Sequence, residues 1–552
     1  MAEVTNKKGL LERFVANIKG FVKPEYESKE KGSKAEFYPT FQSTYRPLFS
    51  ISFNGEKNFG DLGPVINYRL DYQGLRYRSW QAQLESEIAQ TVVNRYCTWV
   101  IGKGLKLQCE PPKSILESEG INWDNKASQK FCDITETRFT TWRKSKYSSY
   151  DRMSNFDLKC YEAYKNAIVG GDVLVVLRYE NNMVNVQLID GQHVRSPEYG
   201  TEWFPQLLQN GNRIIDGVEV NERDEHVAYH VRSWDPYKQY QFERIPAKTK
   251  GSDLQVAFLV YGLKHRINNV RGIPLLSAVL ETLKKLERYK EAMVGNAEEI
   301  AKIVYQIVHK EFSTGENPLM QNLAAASGFA PDIPVTDDGQ VLADKVASTT
   351  NKNTYNMPVG SELKPLESKG NLYFKEFYET NINLICAALG IPPEVAMSKY
   401  DSNFSASRAA LKDWENTLLV RRNEFMFQMM RPTYAFWLET EILKNKIIAP
   451  GYVLASVQKN EILLEAYRSA RFVGTPVPHI DPLKEVNAER TKLGMLGANM
   501  PLTTVEAATE ALNSGDSNSN MEQFAKEMEM ASKLGIELED PEPAKEKKKE
   551  ED

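Results

Sequence analysis

Two long helical patterns bracket a segment that has none, and few folds accommodate that arrangement. Gly272-Ile273-Pro274 opens the first, in which Leu276, Val279, Leu283, Leu286, Met293, Ala297, Ile300 and Val304 form one stripe among Lys284, Lys285, Glu287, Arg288, Lys290 and Glu291. Some 30 residues at about 1.5 Å each reach about 45 Å, more than a small core needs. Residues 312–368 carry Gly328, Pro331, Pro334, Gly339, Pro358, Gly360 and Pro365 and read as an insertion of short strands. A second helix is expected from Asn371 to Leu389, where Gly390-Ile391-Pro392-Pro393 stops it.

The flanks read as separate bodies, and 552 residues allow about three to five domains. Before the first long helix, one helix is expected from Leu75 to Gly102 and a strand at LKLQC. Helix is expected again over residues 125–168, ending at Val169-Gly170-Gly171. DVLVVLRYE, VNVQLID, EHVAYHVR and VAFLVYGLK then supply strands, which makes an α+β region. After the second long helix, a third starts near Ser405 and runs through Leu411, Trp414, Leu418, Leu419, Phe425, Phe427 and Met429 to Pro432. Another continues through Phe436, Leu438 and Ile442 to Asn445. Residues 450–535 read as short helices, and PEPAKEKKKEED as a solvated, disordered end. Near the N-terminus Leu10, Leu11, Phe14, Val15, Ile18 and Val22 lie on one helical face. The charges around them are mixed, which favours packing on the protein's own surface over a partner or a membrane.

Several function classes fall away. The chain has 69 Lys+Arg and 74 Asp+Glu, a formal charge of 69 − 74 = −5. It has no run of 18 apolar residues, and its first residues lack the apolar block of a signal peptide, so a cytoplasmic origin is expected. Cys97, Cys109, Cys132, Cys160 and Cys386 form no CxxC pair and read as reduced thiols. His226 and His230 lie in an alternating strand with no third ligand near, which argues against a metal there. No phosphate loop, dinucleotide fingerprint or GxSxG elbow occurs, and Asp337-Asp338 before Gly339 reads as turn chemistry. No catalytic residue, metal site or cofactor is expected.

What remains is arrangement, and here the residues match a family. VRGIPLLSAVLETLKKLERYKEA (270–292) resembles the segment of lambda-family phage portal proteins in which Arg-Gly-(Val/Ile)-Pro precedes a long charged helix. DSNFSASRAAL (401–411) resembles the family's Asn-aromatic-Ser-Ser-x-Arg-Ala-x-Leu signature, with Phe404 where Tyr is common. HIDPLKEVNAERTKLGMLGANMPLTTVEA (479–507) resembles its Ile-Asp-Pro-x-Lys-Glu element. WVIGKGLKLQ (99–108) and VQLIDGQHV (186–194) are similar to two further stretches, and all five occur in the family's order.

The resemblance implies a multi-domain α+β portal fold with long stem helices, closing as a homo-oligomeric ring of about twelve copies at one capsid vertex. Double-stranded DNA would pass through the channel without sequence preference. Terminase, and later head-completion or tail proteins, would dock on the outer end, with major capsid protein or scaffold around the ring and no membrane. Such a protein is made in the host bacterial cytoplasm and resides in the virion. Carried onto this chain, 1–40 is an N-terminal arm with the amphipathic helix, 41–272 the wing, 273–304 and 370–391 the stem helices, and 305–369 the clip. Residues 392–405 become the tunnel loop, 406–449 the wing-spanning helices, 450–535 the crown and 536–552 a disordered tail.

The implied DNA-facing loop residues are Met397, Ser398, Lys399, Tyr400 and Asn403. Lys284, Lys285 and Arg288 are the stem candidates for the channel, each equally readable as an ordinary solvated helix charge. Leu283, Leu286 and Met293 are expected to pack between stem helices, so that Leu286→Asp abolishes the ring. The net charge suits the role. Twelve copies would carry about −60, and an acidic bore repels phosphate where a basic groove would hold it. The rival readings are another virion scaffold or adaptor, and a hydrolase whose carboxylates meet only in the fold.

Overall fold

The computed structural model describes residues 50–51, 57–58, 72–197, 206–233, 241–251, 253–264, 266–267, 269–302, 305–309, 361–365, 374–399, 404–475, 482–494, 501–513 and 517–534. The N-terminal amphipathic stretch, most of 305–369 and the charged tail lie outside them. Two units separate, one made of residues 1–280 with 385–552 and the other of 281–384.

In the first unit β1 (Ser50–Ile51) pairs with β2 (Lys57–Asn58). Next come α1 (Tyr72–Glu85) and α2 (Glu87–Val100), where one helix is expected. Ser86, at the N-cap position of α2, is extended (φ −100, ψ 121), so the helical run breaks at one residue. After β3 (Lys106–Cys109) and α3 (Lys113–Ser118), the helix expected over 125–168 is likewise two, α4 (Asn125–Lys144) and α5 (Phe156–Gly170). Between them Ser148 Oγ donates to the Ser145 carbonyl, and Asp151 and Asn155 accept from the amides of Met153 and Leu158. Such local bonds compete with a helical ladder and end it.

Gly171 (φ 98) then releases the chain into β4 (Asp172–Glu180), buried at every position from Asp172 to Leu177. A strand buried on both faces has to be covered twice. β4 is the middle of a three-stranded antiparallel sheet with β5 (Met183–Asp190) and, at the far end of this unit's first half, Ala257–Tyr261. Between them in sequence lie β6 (Gln206–Leu207), β7 (Arg213–Ile215), β8 (Val218–Val220), β9 (His226–Arg232) and β10 (Phe242–Pro246). These form a five-stranded antiparallel meander, and Ala257–Tyr261 becomes β11. Leu174, Val176, Ile189 and Leu259 of the first sheet share a core with Val218, Val220, Tyr229, Val231 and Ile245 of the second. α5 packs against β4, β5 and β11.

The second unit holds most of α6 (Leu280–Lys302), the paired β12 (Tyr305–His309) and β13 (Ser361–Pro365), and the start of α7 (Phe374–Leu389). The chain returns to the first unit through the end of α7, then α8 (Pro393–Met397) and α9 (Phe404–Phe425). Pro432 does not end the helix as expected. A wider π turn at Met426–Met430 leads straight into α10 (Arg431–Leu443), where Pro432 sits in the first turn and its missing N–H is harmless. Tyr434 and Trp437 of α10 pack on Phe139, whose neighbours are Trp142 and Phe156. The remainder is α11 (Tyr452–Gln458), α12 (Glu461–Arg468), β14 (Ala470–Val473), α13 (Pro482–Lys492), α14 (Val505–Asn513) and α15 (Ser517–Leu534). β14 is a strand that the sequence reading missed. Its four residues are too few to display alternation, and it forms by pairing with β3.

Candidate functional site

Asp172, which opens β4, has no solvent-exposed side-chain surface, and two arginines converge on it. Arg271 donates through Nε to Oδ2 at 2.7 Å and through Nη2 to Oδ1 at 2.8 Å. Arg76 of α1 also donates to Oδ1, and the Gly272 amide donates to Oδ2 at 2.9 Å. The rest of the Arg271 guanidinium is spent on carbonyls, those of Gly191 at 2.6 Å and of Val194 and Asp216 at 2.8 Å. Burial alone would raise the Asp172 carboxyl. The two guanidiniums and the hydrogen bonds outweigh it and hold the group well below the usual carboxylate range.

The backbone closes around this pair. The Gly171 carbonyl accepts from the Gly262 amide at 2.7 Å and lies so close to Gly272 that a Cβ there would meet it at 2.0 Å. Ile273 and Leu263 exchange two amide hydrogen bonds, at 2.9 and 3.0 Å. Arg271-Gly272-Ile273-Pro274 is therefore a mounting for the residues that lead into α6, and the 186–194 stretch supplies two of its carbonyl acceptors.

Other motif residues join further segments that are distant in sequence. Arg408 lies 3.9 Å from Glu485, which joins the 401–411 and 479–507 elements. Arg422 of α9 donates to the carbonyls of Trp99 (2.8 Å), Val100 (3.2 Å) and Thr475 (2.9 Å), fastening the end of α2 to the chain after β14. The sequence reading named Arg271 within a motif but not its partner. The available signal was an aspartate opening the otherwise apolar run DVLVVL.

Residues 389–399 carry the exposed loop candidates. Helix α8 occupies Pro393–Met397 where a loop is expected, started by proline at its first turn. Ile391 and Val395 are 1% exposed and Ala396 2%, whereas Met397, Ser398 and Lys399 are exposed. Ser398 ends α8 in the left-handed region (φ 54, ψ 33). Tyr400 and Asn403 lie outside the described residues.

On α6, Lys284, Lys285 and Arg288 are exposed and form no ion pair with another described residue. Leu283 and Leu286 are each 2% exposed within the single chain, and Met293 is half-buried. Leu286→Asp is accordingly expected to cost the subunit about 3 kcal/mol or more by burying a carboxylate, before any contact between copies is tested. A lowered urea midpoint of the unassembled subunit checks this. Tyr289, which the sequence reading passed over, stacks on Phe374 (5.7 Å between ring centroids, 19° between planes) and touches Phe377 (4.5 Å).

Little else offers chemistry. Among the described residues no three His, Cys, Asp or Glu side chains are grouped to hold a metal ion. The His226 ring bonds the Tyr229 hydroxyl at 3.0 Å, and burial lowers its pKa to about 4. His230 lies 3.6 Å from the Glu219 carboxylate. Cys97, Cys109, Cys160 and Cys386 are buried and Cys132 partly so. Burial pushes the thiols of Cys97 and Cys132 up to about 12 and that of Cys386 to about 11. No helix among the described residues is long and apolar enough to cross a membrane.

Comparison with known proteins adds a family. The model of the family described as phage portal protein, lambda family, matches residues 64–422. A probable portal protein of Halomonas phage phiHAP-1 is 23% identical over 421 residues, 74% of this chain and 74% of that protein. Among solved structures, the neck of an empty GTA particle is 11% identical with a TM-score of 0.38, covering 82% of this chain and 94% of that one. The virion of a native gene transfer agent particle is 12% identical with a TM-score of 0.36 and the same coverage.

Proposed function

The chain belongs to the lambda family of phage portal proteins, and from that membership we propose how it works: about twelve copies close into a ring at one capsid vertex, and double-stranded DNA passes through the middle during packaging and ejection. The protein is a portal protein, and its task is passage without reaction. Residues 41–272 form the wing, 273–304 and 370–391 the stem, 305–369 the clip on which terminase and then head-completion or tail proteins dock, and 450–535 the crown. Capsid protein or scaffold surrounds the ring, which stays in the finished virion.

The observation that carries the DNA-facing assignment is the abrupt change along α8. Val395 and Ala396 are sealed in the subunit, while Met397, Ser398 and Lys399 are exposed immediately after them. A short exposed stretch with one cation among neutral side chains makes weak, sequence-blind phosphate contacts, which lets DNA slide. The net charge of −5 per chain works in the same direction. Deleting Ser398–Ser402 is expected to leave assembled heads in normal number, most of them without full-length DNA. Counting filled and empty heads by electron microscopy decides it, and a normal filled fraction refutes the assignment.

A further inference from the structure

We infer that α2 is the platform that holds the end of α8, with Arg95 as the positioning residue that fixes Ser398, from which the following loop departs. This rests on the reading above that the loop faces DNA. Two consecutive residues of α2 hold the two ends of the 389–398 segment. Tyr96, 0% exposed, donates its hydroxyl to the Leu389 carbonyl, one of the last in α7 and otherwise short of a helical partner. Its ring sits edge-on to Trp414 of α9, 5.0 Å between centroids and 76° between planes. Arg95, about 100° around the helix from Tyr96, donates to Ser398 Oγ at the other end of the segment.

Ser398 holds a left-handed backbone, which a residue with a Cβ adopts only where its surroundings keep it there. The Lys399 amide, bonded to the Glu394 carbonyl at 3.1 Å, closes the helix end beside it. Among the described residues, Arg95 is the side chain hydrogen-bonded to Met397, Ser398 or Lys399. The platform is itself fastened, because Arg422 binds the carbonyls of Trp99 and Val100 one turn further along α2.

The test compares Arg95→Ala and Arg95→Lys in the full-length assembled protein by amide hydrogen exchange over residues 397–399, together with DNA retention by filled particles on heating. Arg95→Ala is expected to speed exchange there roughly five- to tenfold, while Lys, which still donates to Ser398, restores most of the protection. Unchanged exchange in the alanine variant overturns the inference, as does a lysine variant that exchanges as fast as alanine. Faster exchange with undiminished DNA retention leaves the platform standing and removes the loop from DNA handling instead.

Discussion

Asp172→Ala is expected to destabilise the first unit by about 3 to 5 kcal/mol, because it leaves two buried guanidiniums without their counter-charge. Arg271 is 1% exposed and Arg76 4%, so water cannot replace the carboxylate. Urea denaturation followed by circular dichroism measures the loss as a midpoint lower by about 1 to 2 M. Asp172→Asn keeps the shape without the charge and should fall between the two. The pH dependence identifies the cause. A carboxyl whose folded pKa is depressed contributes stability that is complete above the unfolded value, about 4, and is lost as pH falls below it toward the folded pKa. The gap between wild type and Asp172→Ala should therefore be constant from neutral pH down to about 4 and narrow below that. A gap independent of pH through the acid range would mean that packing, not charge, holds the mounting.

Gly272→Ala is expected to cost about 3 kcal/mol by a different route. The added Cβ would sit 2.0 Å from the Gly171 carbonyl oxygen, a backbone atom that also accepts from the Gly262 amide, so no side-chain rotation relieves the clash. Displacing Gly272 also withdraws its amide from Asp172. The two substitutions act on one cluster, and the double variant should lose less than the sum of the singles. The same urea experiment on all three proteins checks this. Strict additivity would show that the glycine crossing and the charge cluster are independent.

β4, β9 and β11 were legible in sequence as short runs bounded by turn residues, although their burial is continuous and does not alternate. α6 appears within the stretch that helical spacing marks, but it begins at Leu280 after a tighter 3-10 turn at Leu275–Ala278 and not at Pro274. The breaks at Ser86 and over 145–155 were not legible, since helical spacing continues across them; at 145–155 they are made by serine, aspartate and asparagine side chains that bond the backbone two or three residues away. β14 depends wholly on β3, more than 350 residues away in sequence. Of the site candidates, the exposure of Lys284, Lys285, Arg288 and Lys399 agrees with their polarity, but exposure in one chain does not name what they face. In sequence Leu283 and Leu286 read as contacts between stem helices. Their burial in a single subunit gives them work there first. The mounting is illegible in sequence for the opposite reason, since Asp172 and Arg76 are charged residues, a type expected at the surface.

Every thiol of this protein is withdrawn from solution chemistry, by burial or by a strongly raised pKa or by both. The native polypeptide is thus a silent background for maleimide labelling near neutral pH, where thiolate is the reactive form. A cysteine placed in turn at positions 284, 285, 288, 397 and 399 would report by itself. Its reaction rate in particles with and without a threaded duplex would sort the positions screened by nucleic acid from those open to solvent.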